Sequence, residues 1–173
     1  FKNSTDGTLK IAVDAIRAAA QPHHFLSLTK AGRSAIFSTS GNSDCHLILR
    51  GGNKRPNYDS ASVSLAAQEL EEAGLPALLM VDFSHANSRK NHERQANVGR
   101  DVAGQLAHGD HRIIGVMIES NLVAGRQDLT PSREDLVFGQ SVTDACLGWE
   151  ASEPLLETLA EGVGLRRRVA KRT

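Results

Sequence analysis

The chain has 173 residues, 40% of them hydrophobic, with 20 Lys plus Arg set against 20 Asp plus Glu. That length supports one sizeable core of ordinary globular composition, and the balanced charge excludes a global field for nucleic acid, so any anionic ligand must be held by locally placed cations. Cys45 and Cys146 form neither a spaced framework nor a Cys-x-x-Cys pair, and no stretch approaches a membrane span, so a reduced, cytoplasmic setting away from membranes is expected.

Along the chain, Thr5 or Asp6 is suited to cap a helix in which Leu9, Val13, Ile16 and Ala20 share a face and which Gln21-Pro22 ends. His23 to Leu28 and Ser34 to Thr39 read as strands around the Lys30-Ala31-Gly32-Arg33 turn, a hairpin occupying about 23–40. An apolar strand, His46 to Leu49, runs into Arg50-Gly51-Gly52. A helix follows from about Ser60 to Ala73, with Gly74 as its stop signal and Pro76 beyond. Ala77 to Val81 is a continuous apolar run leading to Asp82-Phe83-Ser84-His85. The next helix covers roughly Glu93 to Ala107, with Val98, Val102 and Leu106 facing inward, and Ile113 to Ile118 runs into Glu119. Ser120 to Gln140 reads as a long polar loop. Thr143-Asp144 is expected to open a last helical region that passes, with one break, through Leu155, Leu159 and Val163 to the basic run Arg166-Arg167-Arg168, Lys171 and Arg172. That run suits a solvated helix end complementing the helix dipole, or a phosphate or partner contact.

Strands alternating with helices predict an α/β fold with a parallel sheet, and apolar runs without period-two alternation fit strands buried on both faces. The chemistry-bearing residues then fall at strand ends, where α/β proteins keep their ligands. Lys2, Arg50, His85 and Glu119 each end a strand, and Asp144 joins them. An imidazole with two carboxylates is a ligand set for Mn, Fe, Co or Zn. Each residue also has a plainer reading: His85 as a hydrogen-bonding group, Glu119 as a solvated strand end, Asp144 as a helix N-cap. Arg50 beside two glycines suits a phosphate or carboxylate, although glycines after a strand are also ordinary turn residues. No Gly-x-Ser-x-Gly elbow is present, and Cys45 and His46, adjacent in a strand, point to opposite faces, which argues against nucleophilic catalysis.

Five strings then carry a resemblance: Phe1-Lys2-Asn3-Ser4-Thr5-Asp6-Gly7, Leu49-Arg50-Gly51-Gly52, Asp82-Phe83-Ser84-His85-Ala86-Asn87-Ser88, Gly115-Val116-Met117-Ile118-Glu119-Ser120 and Ser141-Val142-Thr143-Asp144-Ala145-Cys146. In order, they resemble the C-terminal half of class I 3-deoxy-D-arabino-heptulosonate 7-phosphate (DAHP) synthases. The resemblance implies a (β/α)8 TIM barrel, of which residues 1–173 form roughly the second half as a single unit with the hairpin inserted. It implies condensation of phosphoenolpyruvate with erythrose 4-phosphate, the first step of the shikimate pathway of aromatic amino-acid biosynthesis. It assigns His85, Glu119 and Asp144 to a divalent metal (Mn, Fe, Co or similar), Lys2 and Arg50 to phosphoenolpyruvate, and catalysis to Lys2 and His85. The hairpin resembles the element that binds an aromatic amino-acid inhibitor, with Phe25 and Ser27 as effector contacts, although Ala31 stands where some regulated relatives carry a bulky aromatic.

The family's fourth metal ligand, a cysteine, and further phosphate-binding residues lie in the half of the barrel that has no counterpart here. The chain alone is therefore expected to be inactive and to need the missing N-terminal half or a companion chain. A half-barrel with open sheet edges is also expected to be a homo-oligomer rather than a free monomer. Two other readings stand beside this one. The first is a non-catalytic truncated module that binds an anion, an effector or another chain, and the second is a different sugar-phosphate aldolase on the same barrel.

Overall fold

A computed structural model describes residues 1–170. Lys171 and Arg172 of the basic run lie outside the described residues. In chain order the elements are α1 (Lys10–Ala19), β1 (His23–Leu28), β2 (Ser34–Thr39), β3 (Leu47–Leu49), α2 (Ser60–Glu72), β4 (Leu79–Asp82), α3 (Gln95–Ala107), β5 (Ile113–Met117), β6 (Val123–Arg126), β7 (Gln140–Ser141) and α4 (Trp149–Val169).

Strands β3, β4 and β5 form a parallel sheet in that order, with Leu49 beside Val81 and Val81 beside Val116. A parallel bridge from Lys2 to Ile48 adds the start of the chain beside β3. Four consecutive segments therefore run the same way and deliver their C-terminal ends to one edge. The fold is α/β, as the alternation of elements led us to expect. Leu47, Leu49, Leu79 and Val81 are buried together with Val63, Ala66 and Leu70 of α2 and Val98, Val102 and Leu106 of α3. At about 25 cal/mol per Å² of apolar surface, this cluster supplies the main driving force for folding.

Local chemistry explains the helix limits. Asp59 caps α2: its Oδ1 accepts from Ser62 N at 3.0 Å and its Oδ2 from Ser62 Oγ at 2.7 Å. At the other end Gly74 N donates to Glu71 O and Leu75 N to Leu70 O, a Schellman closure that needs the left-handed φ of +72° at Gly74. Helix α4 packs along α3, where Gly162 approaches so closely that a Cβ there would lie 2.7 Å from Ala103 O.

Three sequence expectations are corrected. Neither Thr5 nor Asp6 caps α1, which begins after Leu9 with no side-chain cap; Asp6 instead accepts from Thr8 N at 2.9 Å and closes its own turn. The stretch expected as a loop from Ser120 to Gln140 contains β6, which pairs in parallel with β7 and is bridged through Gly125 to Cys146. Asp144 does not open a helix. It sits in a bend, with Thr143 N donating to Ser141 Oγ, and α4 starts only after Gly148, then runs unbroken through Pro154. Among the described residues no helix is long and apolar enough to cross a membrane.

Candidate functional site

The register of the sheet decides which side chains meet. Arg50 follows β3, Asp82 ends β4, and Glu119 lies two residues beyond β5. Beyond β4 the chain turns sharply, and His85 adopts a left-handed φ of +54°, a conformation that costs a non-glycine residue of order 1 kcal/mol. Backbone bonds hold it there: Ala86 N donates to Arg50 O at 3.2 Å and Lys90 N to His85 O at 2.7 Å. Gly51 makes the approach possible, because a Cβ at that position would stand 2.6 Å from Asn87 N, and its own φ is +77°.

This turn brings three sequence-separated ligand candidates together. His85, Glu119 and Asp144 each offer a ligand atom within 4.8 Å of the others. His85 Nε2 lies 3.9 Å from Glu119 Oε1. His85 and Glu119 are half-buried and Asp144 is exposed. Burial pushes the Glu119 carboxyl above its ordinary range, and the nearby Asp144 and Asp82 carboxylates add to that rise, while His85 opposes it. Negative groups held this close favour a bound cation, and one imidazole nitrogen with carboxylate oxygens is a donor set that divalent Mn, Fe or Co accepts.

A cleft of about 250 Å³ opens beside the trio, lined among others by Arg50, Gly51, His85, Lys90, Glu119 and Asp144. Arg50 thus faces the same space as the candidate ligands. Lys2 reaches the site differently, through an ion pair from Nζ to Asp82 Oδ2 at 2.7 Å. An ammonium has three donors, so this pair leaves Lys2 with capacity for an anion. Phe25 and Ser27 lie on the hairpin, outside the cleft lining. The Phe25 ring stacks on Phe37 with centroids 5.9 Å apart, and Ser27 stands opposite Ala35. Cys45 and Cys146 are both free thiols.

Sequence reasoning assigned no role to Asp82, Gln95, Asn3 or Asn87. Asp82 is fully buried and receives hydrogen bonds from Ser84 as well as the Lys2 pair. Burial alone would raise its pKa, but the bonds from Lys2 and Ser84 and the nearby His85 outweigh that and hold it below the ordinary carboxylate range. The buried amide of Gln95 clasps Glu119 from both sides, donating to its carbonyl and accepting from its N–H, each at 2.9 Å. Asn3 Oδ1 accepts from Arg50 N at 2.7 Å, and Asn87 donates to Leu49 O and Asp82 O. These amides complete the backbone bonding where the strands leave the sheet, as buried polar groups require. An Asp closing an apolar run and a Gln on the inward face of α3 were the signals available.

A parallel sheet that gathers an imidazole, carboxylates and cations at the carboxyl ends of its strands has the layout of an α/β enzyme. The family profile described as DAHP synthetase I family matches residues 1–157, and the chain belongs to that family. It is 57% identical over 167 residues to the Phe-sensitive phospho-2-dehydro-3-deoxyheptonate aldolase of Escherichia coli (strain K12), covering 96% of this chain and 47% of that protein. It is 50% identical over 178 residues to the phenylalanine-inhibited aldolase of Saccharomyces cerevisiae, covering 99% of this chain and 48% of the relative. The solved phospho-2-dehydro-3-deoxyheptonate aldolase of Francisella tularensis SCHU S4 superposes with a TM-score of 0.89 at 48% identity, over 96% of this chain and 48% of that one. The chain thus spans about half the length of the relatives it matches.

Proposed function

We propose that this chain is the C-terminal half of a (β/α)8 barrel DAHP synthase, residues 1–173 forming one unit, and that it contributes most of a divalent-metal site and part of a phosphoenolpyruvate site. The observation that carries this reading is the convergence of His85, Glu119 and Asp144 beside a cleft that Arg50 also lines. The proposed reaction joins phosphoenolpyruvate, erythrose 4-phosphate and one water to give DAHP and phosphate: C3 of phosphoenolpyruvate attacks the aldehyde carbon, water adds at C2 and phosphate leaves from C2. His85, Glu119 and Asp144 would hold the metal, which when bound supplies Lewis-acid polarisation of the aldehyde. Arg50 offers a planar fork of donors to the carboxylate or phosphate of phosphoenolpyruvate. Lys2, anchored by Asp82, places a second positive charge at the neighbouring strand end. Both cations act by orienting an anion and holding its charge in place.

The remaining ligand and phosphate contacts belong to the first half of the barrel, so the 173-residue chain alone is inactive and works with that half, in an oligomer in the cytoplasm. The experiment is a turnover assay. The complete polypeptide should consume phosphoenolpyruvate only when erythrose 4-phosphate is present, and His85→Ala should abolish this. Consumption independent of erythrose 4-phosphate would point instead to another aldolase chemistry. Phe25 and Ser27 are proposed effector contacts for an aromatic amino acid. Phe25→Ala should relieve inhibition without loss of basal turnover, and unchanged inhibition would remove the hairpin from that role.

A further inference from the structure

Ser84 N, Ser84 Oγ and Lys2 Nζ all donate to the buried Asp82 carboxylate, and His85 Nδ1 lies beside it. Oδ1 accepts from Ser84 N at 2.9 Å and from Ser84 Oγ at 2.7 Å. Oδ2 accepts from Lys2 Nζ at 2.7 Å and faces His85 Nδ1 at 3.0 Å. Ser84 Oγ also lies 2.6 Å from His85 Nδ1. A serine hydroxyl has one hydrogen, and here it points to Asp82 Oδ1, so toward His85 the same oxygen can only accept. Both oxygens next to Nδ1 are therefore acceptors. A ring nitrogen without a hydrogen would meet two lone pairs at close range, so the neutral imidazole carries its hydrogen on Nδ1. That leaves the Nε2 lone pair free, on the side of the ring that faces Glu119 Oε1 at 3.9 Å.

We infer that Asp82 is a positioning residue that fixes His85 as the Nδ1–H tautomer, so that Nε2 is presented as a ligand toward Glu119 and Asp144, while the same carboxylate anchors Lys2. The inference rests on the metal-site reading above and adds to it a residue outside the ligand set. Carboxylates that orient ligating imidazoles commonly change metal affinity by about 10–100-fold when lost. Asp82→Asn is diagnostic because one carboxylate oxygen becomes an NH2 group among donors. The Ser84 N–H is fixed in the backbone, so the amide oxygen stays toward it and the NH2 turns toward Lys2 and His85. The ring then accepts at Nδ1 and carries its hydrogen on Nε2, the atom meant to bind.

The test is 15N NMR of the histidine-labelled, metal-free complete polypeptide, with the His85 signals assigned by their loss in His85→Ala, followed by Mn2+ titration read by electron paramagnetic resonance. The wild type should show His85 as Nδ1–H. Asp82→Asn should show Nε2–H and bind Mn2+ on the order of 10–100-fold more weakly. Ser84→Ala should keep the Nδ1–H form, because Asp82 Oδ2, 3.0 Å from Nδ1, is then the acceptor left beside that nitrogen. The wild-type and Ser84→Ala spectra decide the matter even where Asp82→Asn does not fold. An Nε2–H signal in the wild type or in Ser84→Ala, or wild-type tautomer and affinity in Asp82→Asn, would overturn the inference. If His85→Ala binds Mn2+ as tightly as the wild type, the metal-site reading fails and the inference falls with it. If His85→Ala weakens binding but the wild type is Nε2–H, the inference alone fails.

Discussion

At the mouth of the β3–β4–β5 sheet, Asn3, Asp82, Ser84 and Asn87 are buried and hydrogen-bonded, whereas on the β1–β2 hairpin Leu26, Leu28 and Ile36 stand exposed on strands that chiefly hold each other. The mouth is held from several segments at once: Lys2 from the start of the chain, Arg50 and Gly51 after β3, Asp82 to His85 after β4, Gln95 from α3 and Glu119 after β5. The hairpin depends on its own register and on the Phe25–Phe37 stack. Chemistry that needs side chains placed to a fraction of an ångström belongs at the first. A surface free to meet another molecule belongs at the second.

That contrast can be broken by mutation. The largest expected effect is Asp82→Ala, which leaves Lys2 and the neighbouring donors without their buried acceptor. Loss of one partner of a buried pair costs about 3–5 kcal/mol, and the partial exposure of Lys2 places this case near the lower end, about 3 kcal/mol in urea unfolding of the complete polypeptide. Gly51→Ala should follow at about 2 kcal/mol, since it forces a Cβ against Asn87 N at a left-handed φ.

A smaller effect concerns the opposite end of the sheet, where Arg112 holds Asp110 at 2.6 Å. Burial would raise the Asp110 pKa, but its bonds with Arg112 outweigh this and hold it below the ordinary carboxylate range. A depressed folded pKa adds stability above the unfolded value of about 3.9 that is lost as pH falls through the folded value. Asp110→Asn should therefore unfold less steeply with acid below about pH 4, the pair being worth no more than about 1 kcal/mol; an acid limb identical to the wild type's would assign it nothing. The smallest effect is expected on the hairpin. Ile36→Thr should change stability by no more than about 0.5 kcal/mol, and a loss comparable to that of Gly51→Ala would show that the hairpin is packed as tightly as the mouth.

The hairpin, although the less constrained region, was the more legible in the sequence. Its strands are bounded by local turn chemistry, and His23 to Leu28 and Ser34 to Thr39 have the limits that the sequence suggested. The parallel strands were legible as apolar runs, and their polar ends marked His85, Glu119 and Arg50. Asp144 was legible as a residue of interest, but its setting was not. It lies in a bend whose shape depends on Cys146 pairing with Gly125 and on Leu147 N donating to Glu119 O, contacts about 20 residues or more apart in sequence. Strand β6 was hidden for a related reason. It is short and mostly exposed, and part of its support comes from side chains, with Gln140 Nε2 donating to Ala124 O at 2.8 Å. Asp82 stood in plain view at the end of an apolar run. Its meaning depends on Lys2, 80 residues away, and no local pattern carries a pairing of that kind.

The central claim is that His85, Glu119 and Asp144 together form a divalent-metal site, and Mn2+ binding to the complete polypeptide tests it most directly. Wild-type protein should take up Mn2+ at one site per chain, and His85→Ala, Glu119→Gln and Asp144→Asn should each weaken that binding by at least about tenfold. Affinity equal to the wild type's in all three variants would contradict the account.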